Sequence, residues 1–213
     1  MQEKPNILQV IPKLNISGAE QGCFDIANYL TENGFSSNIA TSSGYRINQL
    51  EKNGSIVHKI PVHSKNPLTI FINTFRILKI IKKNDINGFI GIASAPDFTV
   101  SEWLKLSADE QKEFIKKGSI LFPDDDHGAY EVSYKFVNDG FNNLLLDQEI
   151  NISCPIRLLH GRLDKVVPVS TSEKIIEKIL SPDKDLIIIE DGDHSLSREQ
   201  DLNILFKQIE YFI

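Results

Sequence analysis

Several things are scarce in this chain of 213 residues. It has two cysteines, Cys23 and Cys154, far apart and in apolar contexts, which argues against a disulfide scaffold and makes a reducing compartment the default. Positive charge is in deficit: 23 Lys and Arg stand against 29 Asp and Glu, for a formal charge of -6. With a pI near 5.4, no nucleic-acid or anionic-lipid partner is expected. No long apolar run is uninterrupted. The longest, residues 67–83, is broken by Asn73, Arg76 and Lys79, so no membrane span is expected. The N-terminal residues lack a basic region followed by an apolar one, so no signal peptide is expected and a cytoplasmic location is. There is no internal repeat, no low-complexity tract and no ligand set at fixed metal-binding spacing, so no metal and no cofactor is expected. Two acidic clusters, Asp124 to Asp126 with His127, and Asp191 and Asp193 with His194, read as solvated loops.

With 41% hydrophobic residues, the chain has enough apolar side chains for a substantial core. The first half alternates strand and helix signals. "NILQVI" is a short apolar run, and "AEQGCFDIANYLTENG" puts Phe24, Ile26, Ala27, Tyr29 and Leu30 on a helical stripe that Gly34 stops. Strand-like "SSNIATSS" and "SIVHKIPV" flank a short helix near 48–52. The run from Pro67 to Lys83 reads as a long helix with Asn66 as N-cap and lysines 79, 82 and 83 at its C-terminal end. "GFIGIAS" (88–94) is strand-like again. This order implies a three-layer α/β fold, with a mostly parallel sheet and helices on both faces.

After Phe98 comes a polar, helical interval, with Ser107 and Glu110 as a capping box and Gly118 as a stop. "RLLHG" (157–161) and "DLIIIE" (185–190) read as buried strands. "TSEKIIEKIL" reads as a helix with Ser170 and Glu173 as its capping box, and the closing amphipathic helix is expected to be capped by Ser197.

The strongest chemical signal follows the last two strands. Asp164 lies in the loop directly after "RLLHG" and His194 in the loop after "DLIIIE". Both therefore fall at the carboxyl edge of a parallel sheet, where such folds present functional groups. A carboxylate fixes the tautomer of an imidazole and stabilises its protonated form, which a general base requires. A loop-turning aspartate and a histidine in a polar turn would give the same spacing. His58, His63 and His160 sit in strand or strand-end contexts and read as structural.

"GFIGIASAPDFT", "CPIRLLHGRLDKVVP" and "EDGDHSLSREQDL" resemble the C-terminal part of an α/β hydrolase, similar to small esterases and thioesterases. The resemblance runs over 88–213. It implies that Asp164 is the acid and His194 the base, that residues from about 97 to 146 form a small helical lid, and that the ligand is an acyl ester. In that fold the nucleophilic serine sits on a G-x-S-x-G turn before the acid and the base. Here the preceding stretch is "NTFRILKIIKKNDIN", which holds no serine and no such turn.

The first half is similar to the N-terminal half of a GT-B glycosyltransferase of the family 4 type, on "ILQVIPKLNISGAEQGCFDIANYLTENG" and "PVHSKNPLTIFINTFRILKIIKK". Pro12, Leu14, Gly18, Glu20 and Gly22 keep that family's loop pattern, and Ser17 stands in for its first glycine. A glycine loop opening a helix offers N–H groups to a phosphate or a sugar, so Ser17, Gly18, Glu20 and Gly22 are candidate ligand-binding residues. This resemblance implies a glycosyltransferase-like fragment over 1–87 that lacks the donor domain and joins the hydrolase-like segment near Asn87. The two segments may share one sheet.

Candidates for the missing nucleophile are weak. Ser17 lies between a strand and a helix, but its neighbours two away are Asn15 and Ala19 rather than glycines. Gly18 and Gly22 have the elbow spacing with Glu20 at its centre. Cys23 lies one turn into a helix, and Ser94 belongs to an ordinary loop. The expected protein is thus esterase- or thioesterase-like without turnover; the alternative is a sugar- or nucleotide-sugar-binding protein. Truncated sheets leave open edges, so self-association is also expected.

Overall fold

The computed structural model describes residues 6–15, 18–62, 69, 72–73, 75–77, 79–80, 88–124 and 128–212. In the first half, β1 (Asn6–Val10), β2 (Ser36–Thr41) and β3 (Ile56–Lys59) form a parallel sheet in the order β1-β2-β3, with α1 (Gly18–Glu32) and α2 (Ile47–Lys52) as connections. The stripe on α1 is buried as its spacing demands: Cys23, Ala27 and Leu30 are all inaccessible or nearly so. Gly34 ends the helix at φ +83°, a left-handed conformation that glycine adopts without strain. After β3 the described residues from 72 to 80 are helical. Asn66, Pro67, Lys82 and Lys83, which frame the expected long helix, lie outside the described residues, as does the junction near Asn87.

A second parallel sheet runs β4 (Phe89–Ile92), β7 (Ile156–Gly161) and β8 (Lys184–Ile189), with β7 in the middle. Every residue of β7 is buried, in keeping with an apolar run covered on both faces. Two helices complete this half, α6 (Val169–Lys178) and α7 (Glu199–Tyr211). Neither starts as expected. The N-cap of α6 is Pro168, whose fixed φ already ends the loop, and no side chain caps the helix; Ser170 lies inside the first turn. At α7 the cap is Arg198 rather than Ser197. Its guanidinium forks onto buried Asp201 at 2.9 and 2.8 Å, and its backbone N–H donates to the same carboxylate at 3.2 Å.

Among the described residues the two sheets are not joined by strand hydrogen bonds. They share a core instead. Ile7, Ile26, Tyr29 and Leu30 from the first half pack with Ile90, Leu159, Ile189, Leu205 and Ile209 from the second. Tyr29 stacks on Phe206 with ring centroids 3.8 Å apart, and its hydroxyl donates to Glu210 at 2.8 Å.

The interval between β4 and β7 carries α3 (Phe98–Lys105), α4 (Ala108–Lys117), a hairpin of β5 (Ser119–Asp124) and β6 (Gly128–Ser133), and α5 (Tyr134–Phe141). The hairpin is an addition to the helical lid expected from sequence. At α4 the capping box of Ser107 and Glu110 forms, and Gly118 ends the helix at φ +76°. The lid has its own small core of Phe114, Val132 and Val137, walled by Trp103 and Tyr134. Asp97 fastens its base: at φ 61° it precedes α3 as its N-cap, and its two carboxylate oxygens accept the N–H groups of Leu145 and Leu146 at 2.8 and 2.9 Å.

Candidate active site

The site grows from the carboxyl ends of β7 and β8. After Gly161 the chain turns through Arg162 and Leu163 to Asp164, whose side chain is buried. One carboxylate oxygen, Oδ1, accepts the N–H groups of Val166 and Val167, both at 2.8 Å. The other, Oδ2, lies 2.8 Å from Nδ1 of His194. Burial pushes the Asp164 carboxyl upward, but its bond to His194 and the N–H groups of Val167 and Val166 outweigh this and hold it below its ordinary value of 3.8. It is therefore ionised at neutral pH. A carboxylate oxygen can only accept, so Nδ1 of His194 carries a proton, and in the neutral ring Nε2 holds the lone pair. The imidazole is 44% exposed, leaving that lone pair open to a proton donor from solvent or substrate.

Two glycines that sequence reasoning passed over bring these loops together. Gly161 lies directly under the His194 loop: a Cβ there would meet the carbonyl oxygens of Asp193 and Gly192 at 2.3 and 2.4 Å. Gly192 faces it, and its own Cβ would lie 3.0 Å from the Gly161 Cα. Their signal was present in the sequence as a glycine at the end of one strand and another just after the next. Beside them Arg162 forks onto Glu190 at 2.9 and 2.8 Å, tying the two strand ends together.

His160, read as structural, is fully buried behind Asp164. Its Nδ1 is 2.7 Å from Oγ of Ser172, and its Nε2 is 2.9 Å from the Val167 carbonyl and 3.2 Å from Oδ2 of Asp164.

The other candidates are not drawn into this site. Ser17 lies outside the described residues. Gly18 is the first residue of α1 and Glu20 is in its first turn, whereas Gly22 falls inside the helix, where its N–H belongs to the helical ladder. The Cys23 thiol is pushed up to about 12, first by burial and then by Glu20, so at neutral pH it is not a thiolate. Ser94 lies beside Gly91, its Oγ 2.5 Å from where a Cβ would stand. Among the described residues no hydroxyl or thiol is hydrogen-bonded to Nε2 of His194.

The acidic residues around His194 are committed elsewhere. Asp191 accepts from Arg198 and Gln200, and Asp193 accepts the N–H groups of Ser195 and Leu196. Among the described residues no group of three side chains is placed to hold a metal ion. Asp125, Asp126, His127 and His63 lie outside the described residues. His58 bonds Asn38 at 3.0 Å and lines a cavity of about 430 Å³ with Lys59, Arg76 and Lys79.

The chain is similar to known hydrolases. Residues 131–201 match the model of the family Hydrolase_4, described as serine aminopeptidase, S33. Over 136 residues the chain is 33% identical to the mitochondrial palmitoyl-protein thioesterase ABHD10 of mouse, covering 63% of this chain and 46% of that protein. The human counterpart is also 33% identical, with 44% of its length covered. The chain thus spans less than half the length of these curated relatives. The solved structure of mouse α/β hydrolase domain-containing protein 10 superposes with a TM-score of 0.56 at 26% identity, covering 88% of this chain and 66% of that one. A putative hydrolase from Agrobacterium vitis S4 gives a TM-score of 0.65 at 18% identity, over 99% of this chain and 88% of that chain.

The chain has the fold of the α/β hydrolases. In that fold the order of the catalytic residues is nucleophile, acid, base, and in this chain Asp164 precedes His194. No described helix is long and apolar enough to cross a membrane.

Proposed function

We propose that this chain is an esterase- or thioesterase-type α/β-hydrolase-like protein that keeps the acid and the base and has no nucleophile aligned with them, so that it does not turn over. The observation that carries the reading is the state of His194. Its Nδ1 side is built as a general base requires, while among the described residues its Nε2 side meets no serine or cysteine. Proton abstraction alone does not form an acyl-enzyme. That step needs an oxygen or sulfur nucleophile within about 3 Å of both the base and the acyl carbon. The sequence has no G-x-S-x-G turn to supply one.

A thioester, the substrate type in the name of the thioesterase relatives, or an acyl ester is the ligand class proposed. Self-association is proposed through the sheet margins, where Val10, Ile56 and Phe89 are about half exposed.

The test is intact-mass analysis after treatment with a fluorophosphonate, run beside His194→Ala, with hydrolysis of a palmitoyl thioester followed in parallel. No adduct and no hydrolysis by folded protein is expected. An adduct that disappears in His194→Ala would overturn the reading, and the labelled peptide would name the nucleophile.

A further inference from the structure

We propose that His160 is a positioning residue for the acid–base pair: a neutral imidazole that donates from Nε2 to Oδ2 of Asp164 and so shares with His194 the carboxylate oxygen on which the base depends. The proposal rests on Asp164 and His194 being the acid and the base.

The protonation of His160 follows from its partners. The Val167 carbonyl, 2.9 Å from Nε2, can only accept a hydrogen bond, and so can the ionised Asp164 oxygen at 3.2 Å. Nε2 must therefore carry a proton; its hydrogen bond goes to the Val167 carbonyl, and Oδ2 is the longer, second contact. On the other side of the ring, the Ser172 hydroxyl at 2.7 Å from Nδ1 can donate. A fully buried imidazole whose neighbouring carboxylate is already paired with His194 is most cheaply kept neutral. Ser172 then donates to Nδ1, and the chain of donors runs from Ser172 through His160 to Asp164.

The consequence lies on Asp164. Three hydrogen-bond donors reach the carboxylate, two backbone N–H groups on Oδ1 and His194 on Oδ2, and the His160 N–H lies 3.2 Å from Oδ2 as a fourth, longer contact. A carboxylate filled in this way cannot rotate without losing a bond, so the direction in which Oδ2 meets His194 is fixed. The oxygen also has less electron density to offer His194 than it would with a single imidazole partner. His160 thus holds the geometry while moderating the strength of the Asp164–His194 bond. Ser172 and Val167 anchor His160 from α6 and the loop before it, which ties the acid to the body of the fold.

Nuclear magnetic resonance on histidine-labelled protein at neutral pH tests this without any turnover, with His194→Ala assigning the signals. In native protein the nitrogen shifts should show His160 as the neutral tautomer protonated on Nε2, and the Nδ1 proton of His194 should be shifted downfield. In His160→Leu that His194 proton should move further downfield, because Oδ2 loses its second donor. His160→Gln, whose amide can donate in place of Nε2, should return it toward the native position. Ser172→Ala supplies the same test if His160→Leu does not fold: with Nδ1 released, the His194 proton should again move downfield.

A His160 ring protonated on Nδ1 alone overturns the proposal. So does an unchanged His194 proton in folded His160→Leu or Ser172→Ala, because a residue that only fills space would lower stability and leave that resonance where it was. Asp164→Asn separates the two readings. Loss of the downfield His194 signal there, with no response to the His160 and Ser172 variants, would sink the His160 proposal alone. No response to Asp164→Asn would sink the acid–base pair itself.

Discussion

Replacing Gly161 with alanine should separate the acid from the base without touching either. The added Cβ would stand 2.3 Å from the Asp193 carbonyl oxygen, 2.4 Å from that of Gly192 and 2.5 Å from the Gly192 carbonyl carbon. All three are backbone atoms, so no side chain can swing aside to make room. Ordinary contact begins at 3.4 Å, so the loop must retreat by about 1 Å. If that movement were carried to the ring, the 2.8 Å bond from Nδ1 of His194 to Asp164 would stretch to about 3.8 Å, beyond hydrogen-bonding distance. Overpacking of this kind costs about 1–3 kcal/mol. Thermal unfolding should show the loss of stability, and the downfield Nδ1 proton of His194 should disappear from the spectrum of folded Gly161→Ala. Gly161 is not in the left-handed region, so the effect would be steric contact alone. A variant with native stability and an intact His194 signal would refute the close approach of these two loops.

Further outcomes can be checked by equilibrium unfolding. Asp164→Asn leaves one or more buried donors without a full partner and should cost about 1–3 kcal/mol at pH 7. Because the Asp164 carboxyl is held below 3.8 in the folded protein, its contribution is fully present above that value and is lost as the pH falls below it. Native protein and Asp164→Asn should therefore converge in stability as a titration is carried below pH 3.8; a gap that stays constant would refute the assignment. Ser107→Ala removes a lid helix cap and should cost about 1 kcal/mol, read as a shift in the urea midpoint. Tyr29→Leu removes the stack on Phe206 and should cost about 0.5–1.5 kcal/mol, with faster proteolytic cleavage between the halves if that contact joins them.

Much of the second half was legible because its signals are local. The apolar run of β7 and the strand-then-loop placement of Asp164 and His194 each follow from a few consecutive residues. The caps show where local reading fails. At α6 the spacing of Ser170 and Glu173 imitates a capping box, but Pro168 fixes the backbone before Ser170 is reached. At α7 a serine in the right place loses to Arg198, because buried Asp201 needs a cation as well as a donor. The lid hairpin escaped notice because Pro123 and the acidic residues beside it look like a turn or an open loop. His160 was underread for a different reason: a histidine inside an apolar run says nothing of which carboxylate it meets until β7 and its following loop are folded.

The same locality explains how the acid–base pair we propose can stand in a chain proposed to lack a nucleophile. Asp164 is held by the N–H groups of Val166 and Val167, His194 sits on a turn fixed by Asp193, and the two loops meet through Gly161 and Gly192. His160 and Ser172, which back the acid, lie in the same stretch. All of these residues fall between β7 and the start of α7, so among the described residues the hydrogen bonds that hold the pair come from no residue before β4. A nucleophile does: in this fold it stands on a strand-to-helix turn earlier in the chain, and the described residues between 72 and 80 are helical instead. Preorganisation of the base is therefore separable from supply of the nucleophile. It follows that placing a serine turn ahead of β4 should restore acylation only if the new oxygen comes within about 3 Å of Nε2 of His194. The acid side of the site would need no change.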